Sequence, residues 1–267
     1  MTAGIITHED KNSGAVRGLS GACFKGFPRH QVMIGEHSGV FVDEDFINLT
    51  DVTAGFADGF EWRGATIEAG GKVGGSAKFT TGTTAYNTGG ICSGNGADLF
   101  SSIAFAKTDP RFAMEARLQI NRVTDFSLFV GVCKTSGDFD ALLNGSGVVP
   151  TNEGNLFGLF YTSGGDLKAD AKYVTDAPAL QSLGTGLGTA LAADTYIKLG
   201  LRYESGGGKP KLEYVVNGEV VASVTKDQLA TATTGGDLKA FVLVQNHNTT
   251  AIAMHLDRFS YYSDVVE

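Results

Sequence analysis

The segment KLEYVVNGEVVASV (211–224) sets Asn217-Gly218 between two arms rich in β-branched residues. A two-residue type I′ turn needs positive φ at both central positions, and Asn-Gly adopts that geometry at little cost, so the segment predicts a β-hairpin. The same alternation governs RFAMEARLQI. There Phe112, Met114, Ala116, Leu118 and Ile120 share one face, while Ala113, Glu115, Arg117 and Gln119 share the other. Period 2 specifies a strand, since a helix would repeat at 3.6. Comparable runs follow in DFSLFVGVCK, NLFGLFYTSGGDLKADAKYV, TYIKLGLRYE, LKAFVLVQNHN and AIAMHLDRFSYYSD. Together they predict roughly twelve short strands with a turn signal about every ten residues, the pattern of a β-sandwich. KDQLATAT is expected to supply one short helix. No segment of solenoid or propeller length repeats. The 37 glycines against 5 prolines fit many tight turns.

The expected architecture is one all-β jelly-roll β-sandwich over residues 46–267, preceded by an extended N-terminal arm over residues 1–45. Alternation is absent from the arm, yet ACFKGFP and QVMIGEHSGVFV are too apolar for a solvated tail. It is therefore expected to order against a neighbouring subunit. The formal charge of −8 comes without a basic stripe, which argues against nucleic acid as a partner. No apolar run reaches the roughly 20 residues that span a bilayer, so no membrane is expected. The N-terminus MTAGIITHEDKNSG lacks the basic start and apolar core of a secretory signal. Cys23, Cys92 and Cys133 are odd in number and widely spaced, which fits buried reduced thiols better than a disulfide framework.

The order of segments FVGVCKTSGDFDALLNGSG, NLFGLFYTSGGDLKADAKYV and ALAADTYIKLGLRYESGGGKPKLEYVVNGEVV resembles a group of tailed-phage virion proteins with a concanavalin/laminin-G-like jelly roll. The upstream FEWRGATIEAGGKVGGSAKFTTGT and RFAMEARLQI resemble the first strands of the same group, so the likeness covers most of residues 43–267. It implies a non-enzymatic virion structural protein, a decoration or cement protein on the capsid surface, assembled in the host bacterial cytoplasm. The implied partners are the phage major capsid protein and copies of the chain itself, as a homotrimer or other closed homo-oligomer.

Two other readings compete. A carbohydrate-binding module, adhering to a host-surface glycan, would need an aromatic platform, for which Trp62, Tyr196 and Tyr203 are the candidates. A polysaccharide lyase is echoed by Tyr196-Ile197-Lys198-Leu199-Gly200, but Arg202 and Glu204 stand where that strand carries tyrosine and glutamine. Gln119-Ile120-Asn121 likewise lacks the lyase histidine. Glucanases of this fold carry E-x-D-x-x-E on one strand, and the chain has no such string. Glu115-Ala116-Arg117 reads as a salt-linked polar face rather than a raised-pKa acid. GLSGA (18–22) only superficially evokes a nucleophile elbow. Asp138, Asp140 and Asn144 put oxygen ligands in one glycine-rich loop, a candidate Ca²⁺ site and the only cofactor the sequence points to. If they hold Ca²⁺, adding it must raise the melting temperature sharply; an unchanged melting curve rejects the site.

Overall fold

The computed structural model describes residues 19–24, 39–46, 55–57, 60–71, 75–93, 111–133, 143, 156–162, 168–172, 181–184, 191–204, 211–225 and 239–264. Within them one short helix, α1 (Gly21–Phe24), accompanies sixteen strands. These are β1 (Gly39–Glu44), β2 (Gly55–Ala57), β3 (Phe60–Arg63), β4 (Thr66–Ala69), β5 (Ala77–Thr80), β6 (Thr88–Ser93), β7 (Arg111–Ile120) and β8 (Phe126–Cys133). They continue with β9 (Leu156–Thr162), β10 (Lys168–Lys172), β11 (Gln181–Gly184), β12 (Ile197–Glu204), β13 (Lys211–Val216), β14 (Glu219–Thr225), β15 (Lys239–Asn246) and β16 (Ala253–Asp264). The chain is an antiparallel jelly-roll sandwich, as its alternation predicted. KDQLATAT lies outside the described residues.

The first sheet runs β14-β13-β12-β7-β16-β5-β4, and the second runs β11-β10-β9-β8-β15-β6-β3-β2. The long strand β16 pairs with β7 along one edge and is shared on the other, by β5 near its start and β1 near its end. Asp257 interrupts the β16–β7 register as an extra residue between Leu256 and Arg258. Such a bulge re-aims the side chains beside it. The Asn217-Gly218 turn has φ of 50° and 82°, the double positive φ that its sequence demanded.

Between the sheets, Phe112, Met114, Ala116, Leu118 and Ile120 of β7 meet Phe126, Leu128, Val130 and Val132 of β8. Trp62 stacks on Phe79 with ring centroids 5.6 Å apart, and meets Phe46 and Phe60 edge-on. The outer faces are covered too. On the second sheet, Phe129 occupies the room left by Gly158, where a Cβ would lie 2.1 Å from its ring. Leu143 closes over that patch with Cys92, Cys133, Phe160, Phe241 and Leu243. All three cysteines are buried free thiols.

Residues 1–45 do not stand wholly apart from the sandwich. Residues 39–44 add β1 to the first sheet and residues 21–24 pack on its outer face. The physical reason is that Phe24, Phe41 and Cys23 are apolar and find cover on the chain's own sheet.

Because Trp62 is core, Trp62→Ala should cost about 3–5 kcal/mol in urea unfolding. A loss below about 0.5 kcal/mol would mark it as a surface ring.

Candidate functional site

The outer face of the first sheet gathers most of the buried charge among the described residues. Glu115, Arg117 and Gln119 alternate outward on β7, Lys198 on β12, and Arg258 and Ser260 on β16; Glu115, Arg117, Gln119, Lys198, Asp257 and Ser260 are all buried. Burial of so many charges is tolerated only where each is matched. Arg117 pairs with the bulge residue Asp257 at 2.5 Å, and its guanidinium lies 3.8 Å from the centroid of the Tyr196 ring. Arg258 is gripped by Asp43 of β1, its Nε donating to Oδ1 at 2.7 Å, and Ser260 donates to the same carboxylate at 2.6 Å.

Glu115 takes its donors from the N-terminal segment. The Ser20 amide donates to Oε1 at 3.0 Å and the Ser20 hydroxyl donates to Oε2. Three residues on, the Cys23 thiol donates to the carbonyls of Met114 (3.0 Å) and Leu201 (3.2 Å). Arg202 donates to the carbonyl of Ala22 at 3.3 Å. Gly200 makes the approach feasible, since a Cβ there would stand 3.0 Å from the Cys23 sulfur and 2.7 Å from the Met114 carbonyl. Leu19, Cys23 and Phe24 then pack with Ala113, Val215 and Tyr262. Burial pushes the Cys23 thiol well above its ordinary range, and Glu115 and Arg202 move it in opposite directions. Such a thiol is a poor nucleophile.

Glu115 departs from the sequence expectation twice. Its partner is Ser20 rather than Arg117, because the β16 bulge delivers Asp257 to the guanidinium. Its pKa is raised, chiefly by burial, against the opposing pull of the Ser20 bonds, Lys198 and Arg258. A raised carboxyl needs a second group to perform acid–base chemistry on a sugar. Here the neighbouring carboxylates Asp257 and Asp43 are already committed to Arg117 and Arg258.

The aromatic platform expected from the sequence is not assembled. Trp62 is 1% exposed and Tyr203 6%, the latter stacked on Phe112 at 5.5 Å, so both rings fill the core. Only Tyr196 faces outward, one side taken by Arg117. Of the residues in the lyase echo, Asn121 accepts from the Ala253 amide at 3.0 Å, and Arg202 pairs with Glu204 at 2.7 Å. Asp138, Asp140 and Asn144 lie outside the described residues. Among the described residues, no group of three His, Cys, Asp or Glu side chains could hold a metal ion, and no helix is long and apolar enough to cross a membrane.

Sequence reasoning passed over a second polar cluster, at the end of the sandwich where β5, β7 and β15 finish. Tyr86 is exposed there, its ring centroid 6.4 Å from that of His247, and His247 Nε2 sits 2.8 Å from the Ser127 hydroxyl. The signal available in the sequence was the polar string VQNHNTT against TTGTTAYNTG.

No protein-family model matches the sequence, and no curated protein matches it. Solved structures do match in shape. The carbohydrate recognition domain of Emp47p aligns with a TM-score of 0.54 at 15% identity, over 85% of this chain and 96% of that one. Peanut lectin gives 0.53 at 12%, over 86% and 99%. An endo-1,3-β-glucanase from Streptomyces sioyaensis gives 0.53 at 12%, over 85% and 96%. The fold is thus concanavalin-like, a jelly roll that serves carbohydrate-binding domains and glucanases alike, and at these identities the likeness reaches the fold alone.

A raised folded pKa means that Glu115 favours the folded state below the ordinary glutamate value of about 4.3, and that this contribution falls as pH rises through the folded value. Wild-type stability relative to Glu115→Gln should therefore decline with rising pH above that point. A difference that grows with pH would contradict the assignment.

Proposed function

We propose that the chain is a non-catalytic attachment protein of a virion surface, a capsid decoration or cement protein whose sandwich is a rigid mount. The observation that carries the non-catalytic part is the cover that the chain's own residues 19–24 lay over Glu115 on the first sheet's outer face. Ser20 takes up both oxygens of Glu115; Asp257 and Asp43 are paired with arginines, and Glu68 and Glu213 with lysines. A hydrolase or lyase of this fold needs that face open to a polysaccharide and a carboxylate or tyrosine free to move a proton. The virion placement, with the phage major capsid protein as partner and a closed homo-oligomer as assembly, rests on the sequence resemblance. A buried ionic face locked by β1 suits a part that must hold its shape on a lattice.

Carbohydrate binding without catalysis is the second reading. It is favoured by the fold shared with the Emp47p domain and peanut lectin.

The chain should release no reducing ends or unsaturated uronates from β-1,3-glucan, mixed-linkage β-glucan or alginate. Added to shells of a tailed-phage major capsid protein, it should cosediment at a saturating whole-number ratio and raise the shell melting temperature by several degrees. Turnover of any of these polysaccharides that is lost in Glu115→Gln would overturn the non-catalytic reading. A chain that stays in the supernatant would overturn the capsid one.

A further inference from the structure

One end of the sandwich is built unlike the rest. Four of the five described non-glycine residues with positive φ lie in loops at that end: Tyr86 (70°), Asp125 (58°), Asp194 (53°) and Asn217 (50°). Asp and Asn tolerate this region, but an aromatic residue there is a genuine outlier. Tyr86 is also 49% exposed, one of two large apolar side chains left so among the described residues. Its ring thus adds little to the core while its backbone is strained. A strained residue held by over-determined surroundings is a mark of function.

The surroundings are over-determined. The Tyr86 amide donates to the Asn246 carbonyl at 2.8 Å, and the Asn246 amide returns a bond to Asn87 at 3.1 Å. The two N–H groups of the buried Asn246 carboxamide are shared among the carbonyls of Gly82 (3.0 Å), Thr84 (3.1 Å) and Asn248 (2.7 Å), tying loop 81–87 to loop 247–252. The His247 amide donates to the Asp125 carbonyl at 2.8 Å, which joins the third loop. Burial lowers the His247 pKa, so its ring is neutral near pH 7 and can donate or accept. On this rim Arg122 pairs with Asp125 at 2.5 Å and also donates to the Thr124 carbonyl.

We propose that the rim formed by Tyr86, His247, Asn87, Asn248 and Thr124 is a binding site for a neutral saccharide. The exposed phenol ring would stack on the apolar C–H face of a pyranose, and the imidazole, amide and hydroxyl groups around it would bond the hydroxyls. An acidic sugar or a phosphate would need an uncommitted cation, and Arg122 is committed. A rigid polar rim with one aromatic anchor limits the entropic cost of binding, which a small hydroxylated ligand needs. The inference stands apart from capsid attachment, and it gives the carbohydrate reading the site that Trp62 and Tyr203 do not provide.

The test is an NMR titration of the full chain with the methyl glycosides of glucose, galactose, mannose and N-acetylglucosamine. At least one should bind saturably, with shifts concentrated in residues 82–87, 122–125 and 247–250. Tyr86→Phe should keep that affinity, whereas Tyr86→Gly should weaken it at least tenfold. Glycine adopts the φ of residue 86 without strain, so Tyr86→Gly should melt at an equal or higher temperature, which separates lost binding from lost folding. No saturable binding by any of the four, or binding that Tyr86→Gly leaves intact, would overturn the proposal. Capsid cosedimentation by Tyr86→Gly should be unchanged, so a failure of the saccharide rim and a failure of the capsid reading are told apart.

Discussion

A carboxylate buried in a sheet must find donors or it destabilises the fold, and Glu115 finds them in Ser20. Much of the first sheet's outer face depends on that match. Seating Ser20 brings Cys23 onto the carbonyls of Met114 and Leu201, and Phe24 against Phe41. On the same face, β1 delivers Asp43 to Arg258 and Ser260, and the β16 bulge delivers Asp257 to Arg117. Removing Asp257 would leave Arg117 charged and buried, a cost that the more exposed Asp43–Arg258 pair carries less of.

The fold was legible where the local code is strong. Asn217-Gly218 specified a turn with double positive φ, and β7 put its residues on the faces that alternation assigned. What alternation cannot tell is how deeply the polar face is buried. Glu115 and Arg117 read as a salt-linked polar face, yet Ala113, Glu115, Arg117 and Gln119 are all buried, and for Ala113 and Glu115 the cover comes from residues 19–24, distant in sequence. Trp62 misled for a related reason. In FEWR it sits between two charged residues, as an exposed ring might, but a strand turns neighbours to opposite faces, and its own face is the core.

The candidate site was less legible than the fold. Pairing Glu115 with Arg117 looked natural from their spacing, and a bulge of one residue redirected the arginine to Asp257. The Tyr86 rim depends on three loops separated by up to about 160 positions, joined by the carboxamide of Asn246 and the amide of His247; no window of sequence holds it. A concanavalin-like jelly roll supports binding and catalysis alike, so what decides between them is which face is open and which carboxylates are uncommitted. Here residues 19–24 cover Glu115 on the ionic face, and the exposed Tyr86 lies at the loop end.

The seating of the N-terminal segment on Glu115 is the claim on which this account turns, and hydrogen exchange reads it directly. In the folded full-length chain, the amides of Ser20 and Phe24, bonded to Glu115 and to the Ser20 carbonyl, should exchange as slowly as those of β7. Exchange of both at the rate of an unstructured peptide, with β7 still protected, would show an open face and contradict the account.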